Sequence, residues 1–241
     1  MFLAAVFLIS WGSGAAFRIP ALALFPILIL SVAVMGILLT RSIDGTDGLR
    51  RLWTRQKVWR LGRWYGFVLL PPGLILTTLL TLRAVAGPAF TPNVFLAGFA
   101  FGIPAGLLEE IGWTGYAFPR LAAQMPWGRA SVGLGLIWGL WHLPVIDALG
   151  AATPHHGALP AFALAFIGVV SALRVIISWA ARRTNSLLIA QLIHLSSTGS
   201  LVMFGPPGVT PSQEALWYGA YAIALWIVSA LLLSRGRQTG S

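Results

Sequence analysis

A chain of 241 residues that is 57% hydrophobic and 9% charged, with a mean hydropathy of +0.82, lies outside the composition of soluble domains and is read as an all-α, polytopic membrane helix bundle. The lack of cysteine excludes disulfides, thiolate nucleophiles and thiolate metal sites, leaving carboxylate, imidazole and hydroxyl groups for any chemistry. The net charge of +10 sits in loops between apolar runs, where it sets orientation, so no nucleic-acid partner is read from it.

Crossing about 30 Å of hydrocarbon takes roughly 20 helical residues. Runs of that kind predict about eight spans, at 2–17, 21–40, 65–82, 95–119, 131–149, 159–180, 186–204 and 215–233, in one membrane domain over residues 1–241. Met1 leads straight into Phe2–Ile9 with no basic region before it, so the first run is read as a span and not as a cleaved leader. Arg18-Ile19-Pro20, Gly87-Pro88 and Gly205-Pro206-Pro207-Gly208 punctuate the spans. Strand alternation is absent, which argues against a barrel.

With a cytoplasmic N-terminus the inner loops carry the basic residues from Arg41 to Arg63, then Arg120, Arg129, Arg182, Arg183, Arg235 and Arg237, while the outer loops carry Arg18 and Arg83. That asymmetry predicts a plasma (inner) membrane protein with both termini in the cytoplasm. Residues 50–65, basic and bearing Trp53, Trp59 and Trp64, read either as an interfacial helix on the anionic leaflet or as a solvated loop that fixes topology.

Ionisable groups inside apolar runs cost a few kcal/mol, so they face a protein interior or a watery cavity. Glu109 and Glu110 end the fourth run, and His142 and His194 lie inside the fifth and seventh. By helical rise from the nearest cytoplasmic arginine, Glu109 is about 16 Å deep, His142 about 20 Å and His194 about 16 Å. Three polar groups at one level predict one shared site. Gly98, Gly102 and Gly106 form a close-packing ridge, and Glu109, three residues past Gly106, is placed on it and into the bundle.

The segments Glu109-Glu110-Ile-Gly-Trp-Thr-Gly-Tyr-Ala-Phe-Pro-Arg-Leu, Trp138-Gly-Leu-Trp-His142-Leu-Pro and Asn185-Ser-Leu-Leu-Ile-Ala-Gln-Leu-Ile-His194 together resemble the CPBP family of intramembrane proteases. That family includes the type II CaaX prenyl endopeptidases and bacteriocin-processing or immunity proteins. The likeness runs from about Gly48 to Thr198, including Gly48-Leu-Arg-Arg and Arg60-x2-Arg-Trp-Tyr.

The resemblance implies hydrolysis of a peptide bond near the cytoplasmic leaflet. Glu109 is then the general base that activates water, His142 helps to hold that water, and His194 stabilises the oxyanion. Glu110 and Thr198 complete the implied catalytic set. No cofactor is expected. Zinc held by Glu109, His142 and His194 is the alternative, although the H-E-x-x-H spacing is missing. The implied substrate is a peptide or protein at the membrane, a leader or membrane peptide in a bacterium, which lacks prenylated proteins.

Two positions depart from the family pattern. The resemblance implies Arg where this chain has Thr114, and Asn where it has Thr198. Glu110 thus lacks that charge partner, and the oxyanion pocket has a hydroxyl in place of an amide. Arg174, about 12 Å from Arg182 along the sixth span, either supplies the lost cation or snorkels to the inner interface. The competing functions are an inactive immunity or scaffold protein, or a proton-coupled transporter with a Glu/His relay. Asp147 reads as interfacial, and His155 and His156 as solvated loop residues. Trp138 and Trp141 read as packing around His142.

Overall fold

In the computed structural model, which describes residues 1–17 and 19–238, the regular structure is helical throughout. Arg18, counted above on the outer side, lies outside the described residues, as does the side chain of Arg237. The helices are α1 (Phe2–Phe17), α2 (Ala21–Gln56), α3 (Gly66–Ala86), α4 (96–122), α5 (Trp127–Trp141), α6 (Leu159–Thr184), α7 (Leu187–Phe204) and α8 (Pro211–Gln238). This is an all-α membrane bundle, and five stretches, in α2, α3, α6, α7 and α8, are long and apolar enough to cross a bilayer. The other apolar runs are shorter or interrupted, so the span count from hydropathy resolves into unequal elements.

The longest element bends because of one glycine. α2 runs for 36 residues, but Gly45 sits at φ 68°, a left-handed conformation that favours glycine, and the helix turns there. The membrane part therefore ends at the turn, and 46–56 forms a separate arm. Of the two readings of residues 50–65, the helix holds only to Gln56; Trp59 lies in an irregular link and Trp64 in a short 3-10 turn, Gly62–Tyr65. One face of the arm is docked: Leu52 packs with Ile111 and Leu187, and Gln56 donates to Gln191 on α7 at 2.6 Å. The other face exposes Arg50, Arg51 and Trp53.

α4 is continuous but not regular. A 3-10 stretch, Leu96–Phe101, leads into wide π turns at Ala105–Glu109 and Trp113–Ala117 on either side of the three residues Glu110–Gly112. The first π turn widens the helix as it presses on α7. The glycine ridge allows that contact: a Cβ on Gly102 would lie 2.6 Å from the Gly199 nitrogen, and one on Gly106 would lie 2.5 Å from the Leu195 nitrogen. The side chain of Gln191 then donates to the Leu107 carbonyl at 2.7 Å, satisfying a backbone group within the π turn.

α5 stops at Trp141, and His142 is its C-cap, followed by a 3-10 turn over Leu143–Ala148. The single span expected over 131–149 is thus two elements, and Pro144 gives the reason, since it brings no backbone N–H to continue an α-helix. α6 is the most enclosed helix and packs on both α5 and α8. It ends at Asn185 in the left-handed conformation, and Ser186 caps α7 by accepting from the Ile189 amide at 3.2 Å.

Candidate active site

α4, α5, α6 and α7 each send one or more polar side chains to a common point near Trp138. The Trp138 indole N–H donates to Glu109 Oε2 at 3.0 Å, and Trp113, one turn after Glu109, donates to the same oxygen at 3.3 Å. The Trp138 carbonyl takes the Nδ1 hydrogen of His142 at 2.8 Å. A carbonyl only accepts, so His142 must carry its proton on Nδ1, and this bond leaves Nε2 free. The Trp138 ring also meets the His194 ring edge to face at 4.8 Å between centroids. The three residues placed at one depth by the sequence are therefore gathered around a single tryptophan.

The two glutamates divide their partners. Glu109 turns toward α5. Glu110, four residues after Gly106, continues the glycine ridge and meets α7, where His194 Nδ1 lies 2.9 Å from its Oε1. The ridge was expected to carry Glu109, three residues past Gly106, but it continues at the fourth residue, Glu110, which is the one that meets α7. Glu109 still points into the bundle, at 3% exposure.

Glu110 is paired. Arg174 grips it with both terminal nitrogens, Nη1 to Oε2 and Nη2 to Oε1, each at 2.8 Å. Thr114 Oγ1 donates to Oε2 and receives Arg174 Nη1 at 3.2 Å. Arg174 is fully buried, so the snorkelling alternative is excluded and the replacement cation is the arrangement observed. Thr198 follows His194 by one turn on α7 and is half-buried, and the bonds joining Glu110, Thr114, Arg174 and His194 do not include it.

Among the described residues no three His, Asp or Glu side chains form a metal-ligand group. Glu109 Oε2 is engaged by two indoles, His142 Nδ1 by a carbonyl and His194 Nδ1 by Glu110, so these bonds leave Glu109 Oε1, His142 Nε2 and His194 Nε2 as the donor atoms of the zinc set. The site is closed: His194 is 2% exposed, His142 9% and Thr114 0%.

A second polar group lies apart from this one. His155 is buried, not solvated as expected, with Nδ1 3.0 Å from Asp147 Oδ1 and Nε2 3.2 Å from Glu214 Oε2. The Glu214 carboxylate also accepts the Ala151 and Ala152 amides, at 2.8 and 2.6 Å, so the cluster ties the segment after His142 to α8. His156 is exposed. The sequence reading had Trp138 packing around His142, as it does, but gave neither Trp138 nor Trp113 a hydrogen bond to Glu109. A buried indole N–H needs an acceptor, and Trp113 at four residues from Glu109 was the available signal.

Residues 88–199, which hold all the groups around Trp138, match the model of a family described as type II CAAX prenyl endopeptidase Rce1-like. That segment is similar to the Rce1-like family. A CAAX prenyl protease 2 of Methanococcus maripaludis is similar, at 34% identity over 90 residues, 33% of this chain and 32% of that protein. The chain thus matches about a third of the length of this curated relative. The Rce1-like match begins beyond Gly48-Leu-Arg-Arg and Arg60-x2-Arg-Trp-Tyr, so those upstream motifs lie outside it.

Proposed function

We propose that this chain is an intramembrane endopeptidase that hydrolyses a peptide bond with water activated by Glu109. The carrying observation is a buried carboxylate held by the indoles of Trp113 and Trp138, with two imidazoles fixed beside the same tryptophan. Glu109 takes a proton from water as the water oxygen attacks the scissile carbonyl. The carbonyl π electrons move to oxygen, and the resulting oxyanion takes a hydrogen bond from His194. Collapse of the tetrahedral intermediate breaks the C–N bond, and the proton held by Glu109 passes to the departing amine. Donation from His194 Nε2 while Nδ1 donates to Glu110 requires the imidazolium form. His142, with its proton on Nδ1, offers Nε2 as an acceptor to the attacking water.

The family match and the CAAX prenyl protease relative support this reading, and the charge asymmetry supports a plasma-membrane protein with the scissile bond toward the cytoplasmic leaflet. The substrate is a peptide segment of a membrane-associated protein. Because the site is closed, substrate entry needs a parting of the helices around it. The test is cleavage of a fluorogenic peptide library by the purified chain in detergent. Glu109→Gln, which keeps both indole hydrogen bonds but lacks the base, should lower cleavage by at least about 100-fold. Equal cleavage by a folded Glu109→Gln variant refutes the assignment. No cleavage by the folded wild-type chain favours the scaffold or immunity alternative.

A further inference from the structure

We propose that Arg174 is the positioning residue of this site: its guanidinium holds Glu110 as an acceptor against His194 Nδ1 and thereby fixes which imidazole nitrogen is left to act. Glu110 Oε1 is the shared atom, receiving Arg174 Nη2 at 2.8 Å and His194 Nδ1 at 2.9 Å. The two-pronged grip fixes the carboxylate plane as well as its charge, which a single ammonium does not do. The same guanidinium lies 4.3 Å from the centroid of the Trp138 ring, the ring whose N–H holds Glu109. One side chain on α6 therefore braces both carboxylates, Glu110 directly and Glu109 by way of Trp138, and through Glu110 the histidine.

The consequence of removing it follows from charge. A buried carboxylate stripped of its counter-ion takes up a proton sooner than stay charged in a low dielectric. Glu110 would then offer His194 an O–H donor, Nδ1 would become the acceptor, and the ring would keep a proton on Nε2 alone, without the imidazolium charge that the oxyanion step uses. The polarity of the relay inverts although every helix is still in place. Position 114 offers an independent route to the same carboxylate. Thr114 Oγ1 already bonds Glu110 Oε2 and Arg174 Nη1, so an arginine at 114 can occupy the space that a shortened residue 174 vacates.

The kinetic half of the test rests on the endopeptidase reading, and the spectroscopic half does not. In detergent-solubilised, full-length protein labelled with 15N-histidine, the His194 signals are assigned by their loss in His194→Gln. In wild type they should report a protonated Nδ1. In Arg174→Gln Nδ1 should lose its proton while Nε2 keeps one, and in the double variant Thr114→Arg, Arg174→Gln Nδ1 should regain it. Cleavage should follow the same order: kcat falls by about 100-fold or more in Arg174→Gln with KM little changed, and the double variant recovers most of it. Arg174→Gln that folds and keeps both the Nδ1 proton and wild-type kcat overturns the proposal. So does a folded double variant in which Nδ1 stays without a proton, and this comparison stands even if the single variant fails to fold. If wild type cleaves nothing, the endopeptidase reading falls while the tautomer comparison still decides the role of Arg174.

Discussion

At the scale of single residues, Trp138 is the hub, because its indole N–H, its carbonyl and its ring each meet a different polar group. Trp138→Phe removes the donor to Glu109 and shortens the ring that meets His194 and Arg174. A hydrogen bond to a charged group contributes about 1.5–3 kcal/mol, so kcat is expected to fall about 10- to 100-fold with the fold intact, read from single-turnover cleavage beside a thermal melt. Unchanged kcat would mean that the indole does not orient the base. Thr198 is a second site to test, since an amide is a more directed donor to an oxyanion than a rotating hydroxyl. Thr198→Asn should raise kcat, within the roughly 2.7–4 kcal/mol that one such donor can supply. No gain would remove Thr198 from the oxyanion pocket. The depth argument found Glu109, His142 and His194 because polar groups in apolar runs are conspicuous. The pairing of Glu110 with His194 was not legible, because it depends on where α7 packs, which no spacing within α4 reveals.

At the scale of elements, the contact between α4 and α7 depends on residues without side chains. Gly102→Ala would drive a methyl group into the Gly199 backbone, and backbone yields less readily than a side-chain tip. The expected cost is about 1–3 kcal/mol, read as a lower melting temperature in detergent. Gly73→Ala in α3 is the control, since a Cβ there meets nothing within 4 Å. If both melt alike, the ridge is not a packing surface. The ridge itself was legible as glycines at every fourth position. The break of α5 at His142 was also marked, by Pro144, but hydropathy continues through Leu149 and outweighed it in the span assignment. The arm at 46–56 was recognisable by its arginines and tryptophans, whereas its docked face depends on distant partners, Ile111, Leu187 and Gln191, which no local pattern reveals.

At the scale of the whole molecule, the charge asymmetry makes a topological prediction that the absence of cysteine makes easy to test. Lys57 and Thr91 are both exposed, on the side read as cytoplasmic and on the opposite side. A single cysteine at Lys57 should react with an impermeant maleimide only in inverted vesicles, and one at Thr91 only in intact cells. The reverse pattern would invert the orientation. The buried pair of Glu110 and Arg174 also bears on how the chain is made. α4 precedes α6 in the sequence, so the carboxylate is already in the membrane when the helix bearing the arginine leaves the ribosome. A lone arginine near the middle of a helix opposes insertion by roughly 2.5–3.5 kcal/mol, and the waiting glutamate offsets that cost. Glu110→Ala should therefore shorten the life of the newly made chain in a pulse-chase experiment. Adding Arg174→Leu should restore the yield while leaving the protein without cleavage activity. The ion pair would then be a device of biogenesis as well as of catalysis, with the order of synthesis written into which helix carries which charge.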